Sequence, residues 1–129
     1  LPLIKLHIQK GRSEAEVGLL LDTVHEVMLS AFKVPERDRY QLVFEHEASH
    51  FCALDTGLGF QRTQKFVLVE VVSRPRPRAE KLAFYQGLAA QLEEKCGISA
   101  SDLMASFVEN TDEDWSFGAG VAQFVTGEL

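Results

Sequence analysis

One order of elements occurs twice in this chain, and that recurrence limits the folds open to it. Leu3-Ile4-Lys5-Leu6-His7-Ile8 reads as a strand. Ser13 with Glu16 forms a capping-box pattern, after which Val17, Leu20, Leu21, Val24, Val27, Met28, Ala31 and Phe32 trace one face of a helix. Val34-Pro35 ends that helix, because proline steers the preceding residue away from the α region. Tyr40, Leu42 and Phe44 then alternate with Gln41, Val43 and Glu45 as a second strand. Downstream, Phe66 to Val72 is a nearly continuous apolar, β-branched run, expected to be buried on both faces. Arg78 to Cys96 carries Leu82, Tyr85, Leu88, Ala89 and Leu92 at helical spacing before a Gly97 stop, and Leu103 to Val108 is a last strand.

A strand, a helix and a strand in that order make a right-handed crossover with parallel strands. The chain therefore reads as an α/β (α+β) protein of two fused βαβ units, about residues 2–46 and 65–109, with a C-terminal tail over 110–129. A shift of 64 superposes Arg12 on Arg76, Val34 on Ile98, Asp38 on Asp102 and Glu45 on Glu109, as a tandem duplication would. Asp55-Thr56-Gly57-Leu58-Gly59 is a turn-rich connection between the units. The tail opens Asp114-Trp115-Ser116-Phe117-Gly118-Ala119-Gly120 and runs on through Val121 to Leu129. It predicts a hairpin bent at glycine, with an aromatic face that needs a partner.

At 129 residues the chain is long enough for one domain with a real core, and 46% hydrophobic with 25% charged residues excludes disorder. A net charge of -6 argues against nonspecific binding to nucleic acid or to an anionic membrane. No apolar run is long enough to span a bilayer and no signal-peptide pattern opens the chain. Cys52 and Cys96 make no disulfide framework, so a cytoplasmic protein with reduced thiols is expected.

Against this acidic background stands Ser73-Arg74-Pro75-Arg76-Pro77-Arg78. It places three guanidinium groups at a helix N-terminus, where the macrodipole is already positive. An arrangement that costs stability suggests that an anion fits there, the alternative being a solvated basic loop stiffened by two prolines. His46-Glu47-Ala48-Ser49-His50 matches the H-E-x-x-H zinc pattern, which requires both histidines on one helix. The alternating strand before it and the glycine turn after it supply no such helix, so no metal is expected.

Pro2-Leu3-Ile4-Lys5 at the head of two fused βαβ units resembles the tautomerase superfamily. Val34-Pro35 followed by Asp38-Arg39-Tyr40-Gln41, together with Asp55 to Gly59, Ser73 to Arg76, Asp114 to Gly118 and Thr126-Gly127, resembles its malonate semialdehyde decarboxylase family in particular. The resemblance implies a pseudo-two-fold with antiparallel central strands, bringing Pro2, Asp38, Arg74 and Arg76 together. Phe66 stands where Pro2 would recur, so one site per chain is expected.

The activity implied is cofactor-free decarboxylation of malonate semialdehyde (3-oxopropanoate) or a similar small β-oxo acid. Arg74 and Arg76 would bind the carboxylate, and Asp38 would orient Pro2 or activate water. Trp115, Phe117, Phe124 and Leu129 would form an apolar wall. A terminal Pro2 amine, raised by Asp38, would be cationic and would stabilise the enolate. Leu1 precedes Pro2, so in the chain as written that nitrogen is an amide without basicity. The resemblance also implies a homotrimer with sheets inward and helices outward. A hydratase, a cis-3-chloroacrylic acid dehalogenase-like enzyme or a tautomerase acting on small unsaturated or 2-oxo acids is the nearest alternative, and a noncatalytic interaction module the next.

Overall fold

Residues 1–129 are described by a computed structural model. Its first helix begins as the capping box requires. The Glu16 amide donates to Ser13 Oγ at 3.1 Å, and the Ser13 amide donates to the Glu16 carboxylate at 3.0 Å. Strand β1 (Leu3–Gln9), helix α1 (Glu14–Phe32) and strand β2 (Tyr40–His46) form the first unit. Strand β3 (Val67–Ser73), helix α2 (Arg78–Cys96) and strand β4 (Leu103–Glu109) form the second, and a helical turn α3 (Gln123–Thr126) lies in the tail.

The four strands make one sheet in the order β2-β1-β3-β4. Each unit contributes a parallel pair, and β1 meets β3 antiparallel, with Leu3 opposite Val72 and Ile8 opposite Val67. Leu3 to Val67, Glu14 to Arg78 and the left-handed helix caps Lys33 to Gly97 all keep the 64-residue spacing. Tyr40 to Leu103, which begin the last strand of each unit, are 63 apart. One residue is missing from the second helix-to-strand connection, so Asp38 lies two residues before its strand and Asp102 one before its own. Arg12 and Arg76 remain structural equivalents, whereas Glu45 and Glu109 are offset by one along their strands.

Both helices lie on one face of the sheet. Ile4, Leu6, Ile8, Val67, Val69 and Val71 meet Leu20, Val24, Met28 and Phe32 of α1 and Phe84, Leu88 and Leu92 of α2 in a single core. The expectation that Phe66 to Val72 is buried on both faces therefore holds for one face only. Leu68, Glu70 and Val72 are half-buried on the other, where Glu70 pairs with Lys5 at 3.5 Å. The core stripe of α2 also differs from the expected one, since Phe84, Leu88 and Leu92 share a ridge at i, i+4. Leu82 is two residues, about 200° of helical rotation, from Phe84 and faces outward.

The tail is not a hairpin. A single antiparallel bridge joins Gly118 to Val121, and the chain then enters α3. Positive φ at Gly118, Ala119 and Gly120 turns the backbone too sharply for a ladder. The Gln123 side chain bridges the bend instead, accepting from Phe117 N–H at 2.9 Å and donating to Gly118 C=O at 3.0 Å. The H-E-x-x-H residues likewise lack a helix: His46 ends β2, and Ala48–His50 form one 3-10 turn. His46 Nε2 instead lies 2.9 Å from His7 Nδ1 across the parallel pair. No helix is long and apolar enough to cross a membrane.

Gly87 of α2 packs against Val27 of α1, where an added Cβ would stand 2.8 Å from Val27 Cγ1. Val27 is stiff at χ1 and cannot swing away cheaply. Gly87→Ala should gain about 1 kcal/mol in helix propensity and lose about 2 kcal/mol to overpacking, a net loss of about 1 kcal/mol. A lowered urea midpoint with unchanged slope would show it.

Candidate active site

The last residue of β3 organises the arginine run. Ser73 is fully buried; its hydroxyl donates to the Arg74 carbonyl at 2.8 Å and accepts from Arg76 Nε at 3.3 Å. Arg76 is largely buried, with Nη1 donating to the Phe32 carbonyl at 3.5 Å and the guanidinium 5.1 Å from the Phe32 ring centroid. Glu80 Oε1 lies 3.7 Å from the same Nη1. Arg74 Nη1 donates to Asp112 at 3.0 Å, and its guanidinium lies 3.6 Å over the Phe124 ring. Cations that the α2 dipole disfavours are thus held by side chains from α1, α2 and the tail. Arg78, the first residue of α2, is exposed.

Strand register sets what meets them. Leu3 opposite both Tyr40 and Val72 places the chain start, the Asp38 loop and the end of β3 at one edge of the sheet. Pro2 is buried there. The amino group of Leu1 feels burial, Arg76, Asp38 and Arg74, in that order, and is pushed down from 8.0 to about 6. The sequence reading brings Pro2, Asp38, Arg74 and Arg76 together, and the fold juxtaposes the elements that carry them. Asp38 acts on the Leu1 amine in the upward sense expected of it at a terminal Pro2. Burial and Arg76 outweigh that carboxylate, so the net shift is downward.

The aromatic tail finds its partner within the same chain. Trp115 stacks on Phe117 with centroids 5.3 Å apart, and Phe117 meets Phe124 edge-on at 5.3 Å and Tyr40 at 5.9 Å. Trp115 Nε1 donates to Asn110 Oδ1 at 2.7 Å. This layer lies beside Arg74 and the start of β2. Leu129, expected in the same wall, is instead 58% exposed and tied to the Gln123 carbonyl by its amide.

The pseudo-symmetric edge carries different contacts. Phe66 is buried against Phe51, with the Arg62 guanidinium 4.9 Å from its ring centroid. The buried Asp102 carboxylate accepts from the amide and hydroxyl of Thr63. Lys10 pairs with Glu47 at 2.7 Å and Arg12 donates to the Lys65 carbonyl at 2.7 Å, so both cations have partners.

Sequence reasoning missed Phe32, Glu80 and Asp112 as neighbours of the arginines, and Tyr40 as a neighbour of Phe117. Tyr40 was accessible through its register with Leu3, and Glu80 through its 64-residue spacing from Glu16. Asp112 carried no signal, because a tail with no periodicity does not reveal where it returns.

Arg74 and Arg76, held by protein contacts near the Leu1 amine and Asp38, are the candidate site. A family model described as tautomerase enzyme matches residues 38–118. "Probable tautomerase YrdN" of Bacillus subtilis (strain 168) is 48% identical over 129 residues, covering 100% of both chains. A malonate semialdehyde decarboxylase, solved as wild type, mutant and inactivated forms and described for decarboxylase and hydratase activities, is 46% identical. It superposes with a TM-score of 0.96, covering 98% of each chain. A second malonate semialdehyde decarboxylase, inhibited by 3-bromopropiolate, is 35% identical with a TM-score of 0.93, covering 98% of this chain and 97% of that one. A fused 4-OT solved as a symmetric trimer, 18% identical with a TM-score of 0.77 and covering 97% of this chain and 98% of that one, shares the fold. The chain belongs to the tautomerase superfamily and is structurally close to malonate semialdehyde decarboxylase.

An amine lowered to about 6 makes the folded chain bind fewer protons than the unfolded chain between pH 6 and 8. Stability should rise with pH across that window and level off above it. Acetylating the amino group removes the titration, so the deficit in melting temperature of the free chain relative to the acetylated one should shrink from pH 6 to 8.

Proposed function

We propose that this protein decarboxylates a small β-oxo acid without a cofactor, with malonate semialdehyde as substrate. The observation that carries the reading is the pair Arg74 and Arg76, each fixed by protein contacts on one side, beside Asp38 and the chain start. Nε and Nη1 of Arg76 face Ser73 and Phe32, Nη1 of Arg74 faces Asp112, and neither Nη2 has a protein hydrogen bond. Those two groups can hold one carboxylate between them.

In the reaction the bond between the carboxylate carbon and C2 breaks. Its electron pair moves onto C2 and the aldehyde oxygen, giving carbon dioxide and an enolate that takes a proton at C2, drawn ultimately from solvent, to become acetaldehyde. A cationic amine at Pro2 stabilises the enolate oxygen, which requires a chain beginning at Pro2. Substrate binding favours that cation, because the incoming carboxylate offsets Arg76 and Arg74, two of the groups that depress an amine at this edge. Asp38 is the remaining group that raises it, and it orients the ammonium. Trp115, Phe117 and Phe124 exclude water and disfavour the carboxylate relative to neutral carbon dioxide.

Hydration of an unsaturated acid is the second reading. It is favoured by Asp38, a carboxylate at the same edge that could activate water, and by the hydratase activity described for the similar decarboxylase. A homotrimer belongs to the same proposal. Leu42, Phe44 and Met104 are 48%, 39% and 49% exposed on the strands, and apolar surface of that kind is covered by association.

The test is carbon dioxide release from 3-oxopropanoate by protein whose intact mass shows Pro2 at the terminus, beside protein retaining Leu1. Turnover should require the free Pro2. Arg76→Ala should lower kcat/KM about a hundredfold, the scale of a lost charge-assisted hydrogen bond. Equal turnover in both preparations would remove the amine from the mechanism, and stoichiometric borohydride trapping on Pro2 would replace the cation with an iminium. Absence of carbon dioxide in both would end the decarboxylase reading.

A further inference from the structure

The two units use the same glutamate in different ways. Under the 64-residue spacing, Ser13 and Glu16 at the start of α1 correspond to Pro77 and Glu80 at the start of α2. In the first unit the Glu16 carboxylate completes the capping box on Ser13 N–H. Pro77 occupies the N-cap of α2 and makes no side-chain cap bond, and proline has no N–H to give a carboxylate three residues on. Glu80 therefore has no cap to complete.

Its carboxylate goes to Arg76. Glu80 Oε1 is closed to solvent, has no hydrogen-bond partner and lies 3.7 Å from Arg76 Nη1. A buried carboxylate oxygen without a hydrogen bond is costly, and capping a helix with proline forgoes a stabilising bond. Two unfavourable choices three residues apart converge on one guanidinium. In the first unit, where the cap is kept, the equivalent Arg12 donates to the Lys65 carbonyl.

We propose that Glu80 is a positioning residue, released from helix capping by Pro77 so that it holds Arg76. Together with Ser73 Oγ and the Phe32 carbonyl it engages Nε and Nη1 and leaves Nη2 directed to a substrate carboxylate. This rests on the reading of Arg76 as a carboxylate binder. It deepens that reading by making the cap residue of α2 a determinant of affinity.

The experiment is calorimetric titration of the full chain with malonate, an unreactive dicarboxylate in place of 3-oxopropanoate, with melting temperature recorded for each variant. Pro77→Ser restores the capping pattern seen at Ser13. It should raise the melting temperature and still weaken malonate about tenfold, the loss expected when a charge-assisted contact goes slack. Glu80→Ala should weaken malonate to the same degree, and the double variant no further, since both act through one contact. Glu80→Gln keeps an acceptor oxygen and should recover part of the loss. If Pro77→Ser and Glu80→Ala bind malonate like the wild type while Arg76→Ala does not bind, Glu80 has no positioning role. If the wild type itself fails to bind malonate, the carboxylate site is wrong and the inference falls with it.

Discussion

The antiparallel pairing of β1 with β3 is the constraint on which the rest of the molecule depends. Leu3 opposite Val72 means that one strand begins where the other ends. Each strand carries its own parallel partner, so that edge also receives the start of β2 and the connection into α2. A parallel central pair would have put the arginine run at the far edge, away from the chain start. The same pairing puts both crossover helices on one face, which makes a single core and leaves the other face of the sheet half-covered.

Duplication of this kind creates two equivalent edges, and a few substitutions make them unlike. Phe66 fills one edge with an aromatic ring where the other has Pro2. Thr63 satisfies Asp102, whereas Asp38 stays half-buried near the amine. Lys10 pairs with Glu47 and Arg12 donates to the Lys65 carbonyl, whereas Arg74 pairs with Asp112 and Arg76 lies beside Glu80. In a chain of net charge -6 these arginines gather positive charge at one edge. The cost of holding it is met by Asp112, Glu80 and the faces of Phe32 and Phe124.

Much of this was legible in the sequence. The capping box at Ser13 and the helical face from Val17 to Phe32 are local signals, and the structure follows them. The order strand, helix, strand, taken twice, implied parallel pairs because crossover handedness leaves little choice. The places where local reasoning failed are those where a distant neighbour decides. Leu82 has the right spacing for a core helix, but Phe84 sets which ridge faces the sheet. Phe66 to Val72 looks buried on both faces because its apolar residues do not alternate, yet both helices chose one side. The tail reads as a hairpin from its glycines, and the Gln123 side chain closes the bend before a ladder forms.

By itself the sequence determined the six principal elements, their pairing within each unit and the arginines' place at a helix start, because each follows from contacts between residues near in the chain. Tertiary structure alone decided that Asp112 and Phe124 hold Arg74, that Phe32 and Glu80 hold Arg76, and that Leu129 stays outside the aromatic layer. It also decided the downward shift on the Leu1 amine, since burial and the charge of Arg76 depend on how closely remote segments pack. Periodicity specifies which face of an element is apolar; only the closed fold specifies which atoms stand within a hydrogen bond of each other.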